Sequence, residues 1–201
     1  MDMGARPSAL AASSNGTKVA VGTRDGKLYE FDPSAPGAIK TIADYGSNNV
    51  RAAVYSPGGQ ILAVGLLDGS IRILAGDNRV TLASLRGPGA RVSDLAYSPD
   101  GRFLAAASHD GNVYLWNTTE WNQPPVVFSE NKGFVLTVCF SLNSNYFYSG
   151  STDFPRMVGR PSESKEMAGD FCGLLGRNLT EAEWKQYFGE KLPYRKTCSN
   201  L

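Results

Sequence analysis

Histidine is almost absent from this chain: of 201 residues, one, His109, carries an imidazole. A Ser-His-Asp or Cys-His apparatus needs a base held between a nucleophile and an orienting acid, and a lone histidine in a tight turn supplies no such set. It also has no second imidazole beside it to share a metal ion. Cysteine is sparse as well. Cys139, Cys172 and Cys198 make an odd count without a CxxC pair, which is no disulfide framework, so we expect reduced thiols in a cytoplasmic protein. The pairing of Cys172 with Cys198 is left undecided at this point. Charge of one sign is missing: 20 basic against 19 acidic residues give a net +1, which argues against nucleic acid or an anionic membrane as partner. No apolar run approaches the roughly 18 residues of a membrane span. The first residues, MDMGARPSALAASS, carry Asp2 and no long apolar stretch, so no secretory signal is expected. From these absences we expect no catalytic residue, no cofactor and no metal site.

Turn formers are abundant, with 22 glycines and 11 prolines, as in all-β repeat chains. They are ordered rather than scattered. Between Val92 and Trp116, Ser98-Pro99-Asp100-Gly101 reads as one turn and Asp110-Gly111 as a second, tighter hairpin, each flanked by strand-forming residues. The same plan recurs at intervals of 42 or 43 residues: Ser13-Ser14-Asn15-Gly16 with Asp25-Gly26, Ser56-Pro57-Gly58-Gly59 with Asp68-Gly69, and Ser141 with Asp153. A period of this length with four strands per unit is the signature of a propeller blade. The strands are expected near 7–13, 18–23, 27–32 and 38–44; 50–56, 60–66, 70–75 and 79–85; 91–97, 102–108, 112–117 and 124–129; and 134–140 and 145–151, with a ragged one near 155–159 inside an otherwise irregular Pro155 to Pro161.

These residues resemble the WD-repeat β-propeller family, whose units carry SPDG, then S-x-D-G, then a strand ending in Trp-Asp. The third unit matches best, with Ser98 to Gly101, Ser108-His109-Asp110-Gly111 and Trp116-Asn117. The first offers Thr23-Arg24-Asp25-Gly26 and Phe31-Asp32, the second Leu66-Leu67-Asp68-Gly69 and Leu74, the fourth Ser151-Thr152-Asp153. The resemblance implies a buried His, Ser/Thr, Asp and Trp network within a blade. The histidine is missing throughout, Pro88 standing after Gly87 where it would be, and Ser108, Asp110 and Trp116 remain. Asp25, Asp68, Asp110 and Asp153 are expected to be structural on a second ground: a turn carboxylate accepts N–H groups of its own hairpin. The expected fold is all-β, a WD-repeat propeller with about three and a half blades, in repeats near 7–45, 50–85, 91–129 and 134–159. A short helical tail, 160–201, follows.

In the tail, Met167, Phe171 and Leu174 or Leu175 recur at helical spacing between Glu163 and Leu175, and Gly176 is a plausible stop. Thr180 with Glu183 forms a capping box for a helix from Glu181 to Phe188 that buries Trp184 and Phe188, and Gly189 ends it. Cys172, the run from Arg177 to Trp184, and Pro193-Tyr194 with Thr197-Cys198 are similar to the segment that ends many large bacterial WD-repeat proteins. That resemblance implies the C-terminal part of a longer signalling chain of STAND-type NTPase or caspase-like architecture. Fewer blades than a closed ring leave open strand edges. Three explanations stay in play: a fragment of a longer chain whose other blades complete the ring, two copies pairing edge to edge, or a tail that caps the edge.

Chemistry is thin elsewhere. Gly22 to Lys27 resembles a phosphate loop but is one residue short, lacks Ser or Thr after Lys27, and leads into a strand. The triplets starting at Asn15, Asn117 and Asn178 fit the glycosylation pattern, yet each has a turn or capping role. What remains is a surface. In the family, partners meet the face carrying the loop between second and third strands. Here that loop presents Arg24, Leu67, His109 and Thr152, and residues entering the first strands (Asn49, Arg51, Arg91, Ser93, Phe134 and Leu136) share the face. Arg and Phe are suitable contact anchors. The expectation is a non-enzymatic protein-interaction, scaffold or sensor module. Its partners are other proteins, missing blades of a parent chain, or a second copy. The alternatives are a hydrolytic propeller enzyme, which would need His, Asp, Glu or Ser converging in the channel, and a structural fragment without activity.

Overall fold

The structure, a computed structural model, describes residues 4–35, 37–77, 79–131, 133–152, 154–163, 167, 177–188, 193–194, 196 and 198, with the backbone alone for 154–156 and 185–188; among the described residues the elements are fifteen strands and the helix Glu181–Phe188. The strands form four antiparallel sheets, each a meander in chain order. The first holds β1 (Pro7–Ala12), β2 (Val19–Thr23), β3 (Lys27–Phe31) and β4 (Lys40–Asp44). The second holds β5 (Val50–Tyr55), β6 (Ile61–Leu66), β7 (Ile71–Ala75) and β8 (Val80–Leu85). The third holds β9 (Val92–Tyr97), β10 (Phe103–Ser108), β11 (Val113–Asn117) and β12 (Val126–Phe128). The fourth holds β13 (Val135–Phe140), β14 (Tyr146–Ser151) and β15 (Phe154–Pro161). The chain divides into two compact units, Met1–Gly159 and Arg160–Leu201.

Each turn between first and second strands is built by its leading serine. Ser98 Oγ accepts from Phe103 N (2.9 Å) and donates to Asp100 Oδ1 (2.6 Å), while Gly101 N donates to Ser98 O (2.8 Å). Ser13, Ser56 and Ser141 repeat the first of these bonds with Lys18, Ile61 and Tyr146. Gly101 takes φ +75°, as Gly16 and Gly59 take +72° and +71°; in the fourth blade Ser144 holds the same place at φ +63°. A serine hydroxyl that satisfies the outgoing strand's N–H therefore stamps the same corner four times.

The blades stand side by side in chain order, β1 against β5, β5 against β9, and β9 against β13. Their faces meet in two buried clusters. Ala11, Ala20 and Leu28 pack with Val50, Leu62, Val64 and Leu74 between the first and second blades. Ile71, Ile73 and Leu85 pack with Val92, Leu95, Leu104 and Trp116 between the second and third. Each of these large side chains contributes on the order of 1.5–3 kcal/mol by leaving water. Small residues let the blades approach: a Cβ on Gly22 would fall 2.1 Å from Val50 Cγ1, and one on Gly65 would fall 2.5 Å from Val92 Cγ1. Ser8 Oγ reaches across to Val50 O (2.6 Å), and Ser93 Oγ does the same to Val135 O. Leu10 in the first blade and Leu142 in the fourth remain largely exposed.

Two expectations change, and a third falls outside the described residues. Residues 154–161 form one continuous strand, not an irregular segment. The strand lies at the sheet edge, where proline's missing N–H is tolerated, and Gly159 fits beneath the Tyr148 ring, which a Cβ would meet at 2.8 Å. Cys139 is a free, exposed thiol as expected, but Cys198 is disulfide-bonded. The expected helix from Glu163 to Leu175 lies almost wholly outside the described residues, apart from a Met167 N–H bond to Glu163 O (2.9 Å). Asp153, Phe171, Cys172, Leu174, Leu175, Gly176, Gly189, Thr197 and the Phe188 side chain are outside them too.

In the second unit α1 (Glu181–Phe188) starts at the capping box: Thr180 N donates to Glu183 Oε2 (2.8 Å) and Glu183 N to Thr180 Oγ1 (3.3 Å). Arg177 clasps the same carboxylate at 2.7 and 2.8 Å. With the Thr180 bonds, this pair holds the Glu183 carboxyl down at about 2. Trp184 is buried and meets the Tyr194 ring edge-on at 5.9 Å. Tyr194 Oη donates to Leu179 O (2.9 Å), and Asn178 Oδ1 accepts from Cys198 N (2.7 Å). Among the described tail residues, Arg177 and Thr180 thus hold Glu183, Tyr194 holds Trp184 and Leu179, and Asn178 holds Cys198.

Candidate protein-interaction face

The hairpins between second and third strands lie at the end of the blades where the first strands begin, because each is tied back to its own strand entry. Arg24 N donates to Arg6 O (3.0 Å), Leu67 N to Asn49 O (2.9 Å), His109 N to Arg91 O (3.1 Å), and Thr152 N to Phe134 O (3.0 Å). In all four blades the partners are 18 residues apart. Of the two sets expected on this face, Leu67, His109 and Thr152 are thus paired with Asn49, Arg91 and Phe134, and Arg24 with Arg6; Arg51, Ser93 and Leu136 stand two residues further along the first strands. Arg6 was missed; the repeat register places it where Arg91 and Phe134 stand and would have found it.

The hairpin carboxylates are engaged, Asp25 and Asp68 within their own loops and Asp110 with the preceding loop as well. Asp68 accepts from Ser70 N (2.9 Å) and Ser70 Oγ (2.7 Å), and its own N–H donates to Asn48 Oδ1 (3.1 Å). Burial works against the Asp68 charge, but these bonds outweigh it and hold its pKa below the usual range. Asp25 is likewise lowered, first by the Thr23 hydroxyl. Asp110 accepts from Gly89 N (2.6 Å), Asn112 N (3.0 Å) and Tyr114 Oη (2.8 Å). Among the described residues it makes no bond to Trp116, which is buried and stacked 6.0 Å from the Tyr114 ring. Ser108 Oγ accepts from Asp110 N (3.2 Å) and donates to Ala90 O (3.3 Å). With Pro88 in place of a histidine, the N–H of Gly89 takes up the carboxylate, and Tyr114 joins it. Tyr114, four residues past Asp110 on the next strand, was not singled out in the sequence.

The cations on this face are not neutralised. Among the described residues Arg24, Arg51 and Arg91 form no ion pair. The Nε atoms of Arg51 and Arg91 are buried without a hydrogen-bond partner. Burial, then the charges of Arg91 and Arg24, lower the Arg51 pKa; burial, Arg91 and Arg51 lower that of His109. The His109 ring stacks on Phe134 at 4.5 Å, and Phe134 is half exposed, as is Leu67. Thr152 is exposed and its Oγ1 accepts from Phe134 N (3.1 Å). No group of three or more His, Cys, Asp or Glu able to hold a metal is found among the described residues.

A family model described as "WD domain, G-beta repeat" matches residues 38–73, 79–117 and 122–154, more than half of the chain. The chain belongs to the WD40 family. Each matched stretch takes the last strand of one blade and runs into the third strand of the next or its approach, so the match begins at β4 of the first blade and reaches the fourth. The WD40 chain is 25% identical over 166 residues to the 77 kDa echinoderm microtubule-associated protein of Strongylocentrotus purpuratus, covering 81% of this chain and 23% of that one. It is 28% identical over 140 residues to echinoderm microtubule-associated protein-like 1 of Mus musculus, covering 68% and 16%. It is 27% identical over 146 residues to the ciliary WD repeat-containing protein ctxp80 of Euplotoides octocarinatus, covering 72% and 19%. The chain thus spans about a fifth of the length of these relatives. A solved structure titled "Crystal Structure of Mitotic Checkpoint Complex" superposes with a TM-score of 0.69 at 22% identity, over 77% of this chain and 47% of that one, which speaks to the fold.

Proposed function

We propose that this WD40 chain is a non-enzymatic protein-interaction module, acting as scaffold or sensor within a longer protein. One observation carries the reading: the loop end carries Arg24, Arg51, Leu67, Arg91, His109 and Phe134, its arginines form no ion pair among the described residues, and Leu67 and Phe134 are half exposed. Such side chains on loops held by a rigid scaffold are contact anchors. The test is photo-crosslinking of the full chain in extracts of its source, with a photoreactive residue at Leu67 or, as control, at Val80 on the outer strand β8. Adducts that form from position 67 and not from 80 support the reading. Equal labelling from both positions, or none from 67, sinks it.

Two parents suit the module. The tail motif supports a bacterial STAND-type or caspase-like signalling chain. The relatives named above, all eukaryotic, support a parent that associates with microtubules or cilia, as their names say of those proteins. The full coding sequence separates them: a nucleotide-binding or peptidase domain joined to these blades supports the first, and a longer array of WD40 blades without either supports the second.

A further inference from the structure

We propose that the loop face binds an acidic peptide segment of a partner protein, with Arg24, Arg51, Arg91 and His109 as the carboxylate-binding groups; this rests on the interaction reading above and names its chemistry. The four side chains come from three blades, so the cluster exists once the blades pack and not before. Arg51 is its centre, since its charge acts on His109 and is itself opposed by Arg24 and Arg91. Like charges so placed repel, and two guanidinium donors, Arg51 Nε and Arg91 Nε, have left water without gaining an acceptor. A buried donor without a partner carries a standing cost that a carboxylate would remove. The hairpin carboxylates do not supply it: Asp25 and Asp68 are spent on their own hairpins, and Asp110 on Gly89 N, Asn112 N and Tyr114 Oη. Asp94, on the inner strand β9, is spent too, on Thr137 Oγ1 (2.8 Å) and Val138 N (3.0 Å).

Two features favour a peptide over a polynucleotide. With 20 basic against 19 acidic residues and a net charge of +1, the chain has no excess of cations with which to follow many phosphates. Beside them the His109–Phe134 stack offers one small apolar platform, suited to a single side chain next to an acidic run. The loop N–H groups of residues 24, 67, 109 and 152 are already taken by their own blades, so recognition falls to side chains. Guanidinium forks match carboxylates in planar geometry.

The probe is a fluorescein-labelled hexaglutamate peptide, with hexaglutamine and a hexauridylate RNA as comparisons, read by fluorescence anisotropy on the full chain. The expected result is binding of hexaglutamate, weaker at higher salt, and none of hexaglutamine. Arg51→Met and Arg91→Met each weaken it about tenfold or more, whereas Lys40→Met, which removes an exposed cation from the outer strand β4, leaves it unchanged. Arg51→Met is also expected to raise the melting midpoint, because it removes a mutually repelling, unpartnered cation. The proposal is overturned by a wild-type chain that ignores hexaglutamate, by equal loss in Lys40→Met, by tighter binding of the RNA, or by a fall in the Arg51→Met midpoint. Adducts from position 67 together with no hexaglutamate binding would sink this inference and leave the interaction reading standing; loss of both would sink both.

Discussion

Glu30 and Arg79 form a buried ion pair between the first and second blades, and its removal gives a measurable prediction. Glu30 Oε2 accepts from Tyr55 Oη (2.7 Å), from Arg79 Nε (2.9 Å) and from Arg79 Nη2. Arg79 Nη1 donates to Gln60 O (3.2 Å), and its guanidinium lies 5.2 Å above the Tyr55 ring. The side chain of Arg79 is 0% exposed and that of Glu30 11%. Glu30→Ala leaves the guanidinium buried with no counter-charge and Tyr55 Oη without its acceptor. Breaking one partner of such a pair costs about 3–5 kcal/mol, in line with the roughly 4 kcal/mol of Coulomb energy at an effective dielectric of about 20. For a chain of this size that lowers the melting midpoint by about 6–20 °C. Replacing both partners, Glu30→Met with Arg79→Met, should recover most of the loss, since an apolar pair of similar volume carries no desolvated charge. Arg79 sits at φ +50°, and methionine there inherits the same backbone without adding strain. The remaining deficit is Tyr55 Oη, about 1 kcal/mol. Urea melts of Glu30→Met, Arg79→Met and the double variant give the coupling directly. A Glu30→Ala midpoint equal to wild type, or a double variant as unstable as the sum of the singles, refutes this account.

Three further outcomes are expected. Gly65→Ala should cost about 1–3 kcal/mol in urea melts, because its Cβ meets the rigid Val92 side chain at 2.5 Å and the second and third blades must part; an unchanged midpoint would show that the blades give way freely. Asp110→Ala should cost about 1–3 kcal/mol by leaving the N–H groups of Gly89 and Asn112 and the Tyr114 hydroxyl without their acceptor, and a melting curve identical to wild type would count against it. Burial opposes the Asp100 charge, but the Ser98 hydroxyl, the Arg102 guanidinium and the Arg102 N–H outweigh it and bring the carboxyl to about 2. A folded pKa below the unfolded value of about 3.9 means stability present above about pH 4 and lost as pH falls toward about 2; Asp100→Asn should flatten that part of the stability profile, and an unaltered acid slope would contradict it.

The blades were legible because their punctuation is local. Ser13, Ser56, Ser98 and Ser141 each make a corner with residues no more than five positions away, so a sequence pattern and a structural bond coincide. The pair Glu30 and Arg79 was not legible, since its members are 49 residues apart and Arg79 reads as an ordinary turn cation. The strand 154–161 was expected only as a ragged piece near 155–159, because Pro155, Gly159 and Pro161 resemble breakers and only the sheet order shows that they sit on an edge. An odd cysteine count argued for free thiols, yet it is compatible with one bond and one free thiol, and Cys198 is bonded. On the loop face the residue types were readable one by one. Their missing counter-charges were not, because whether a hairpin aspartate looks inward or toward a neighbouring arginine depends on loop geometry.

The bond that joins residues 24 to 6, 67 to 49, 109 to 91 and 152 to 134 uses backbone atoms alone. In the first three blades its side chains are therefore free to change without disturbing the link that places them, while in the fourth Thr152 Oγ1 adds a second bond, from Phe134 N. A blade becomes a cassette with a two-letter label: Arg and Arg in the first, Asn and Leu in the second, Arg and His in the third, Phe and Thr in the fourth. Exchanging two codons 18 apart would relabel one blade and leave its fold untouched. Partner preference on such a scaffold can drift blade by blade, at a rate set by the surface rather than by the core.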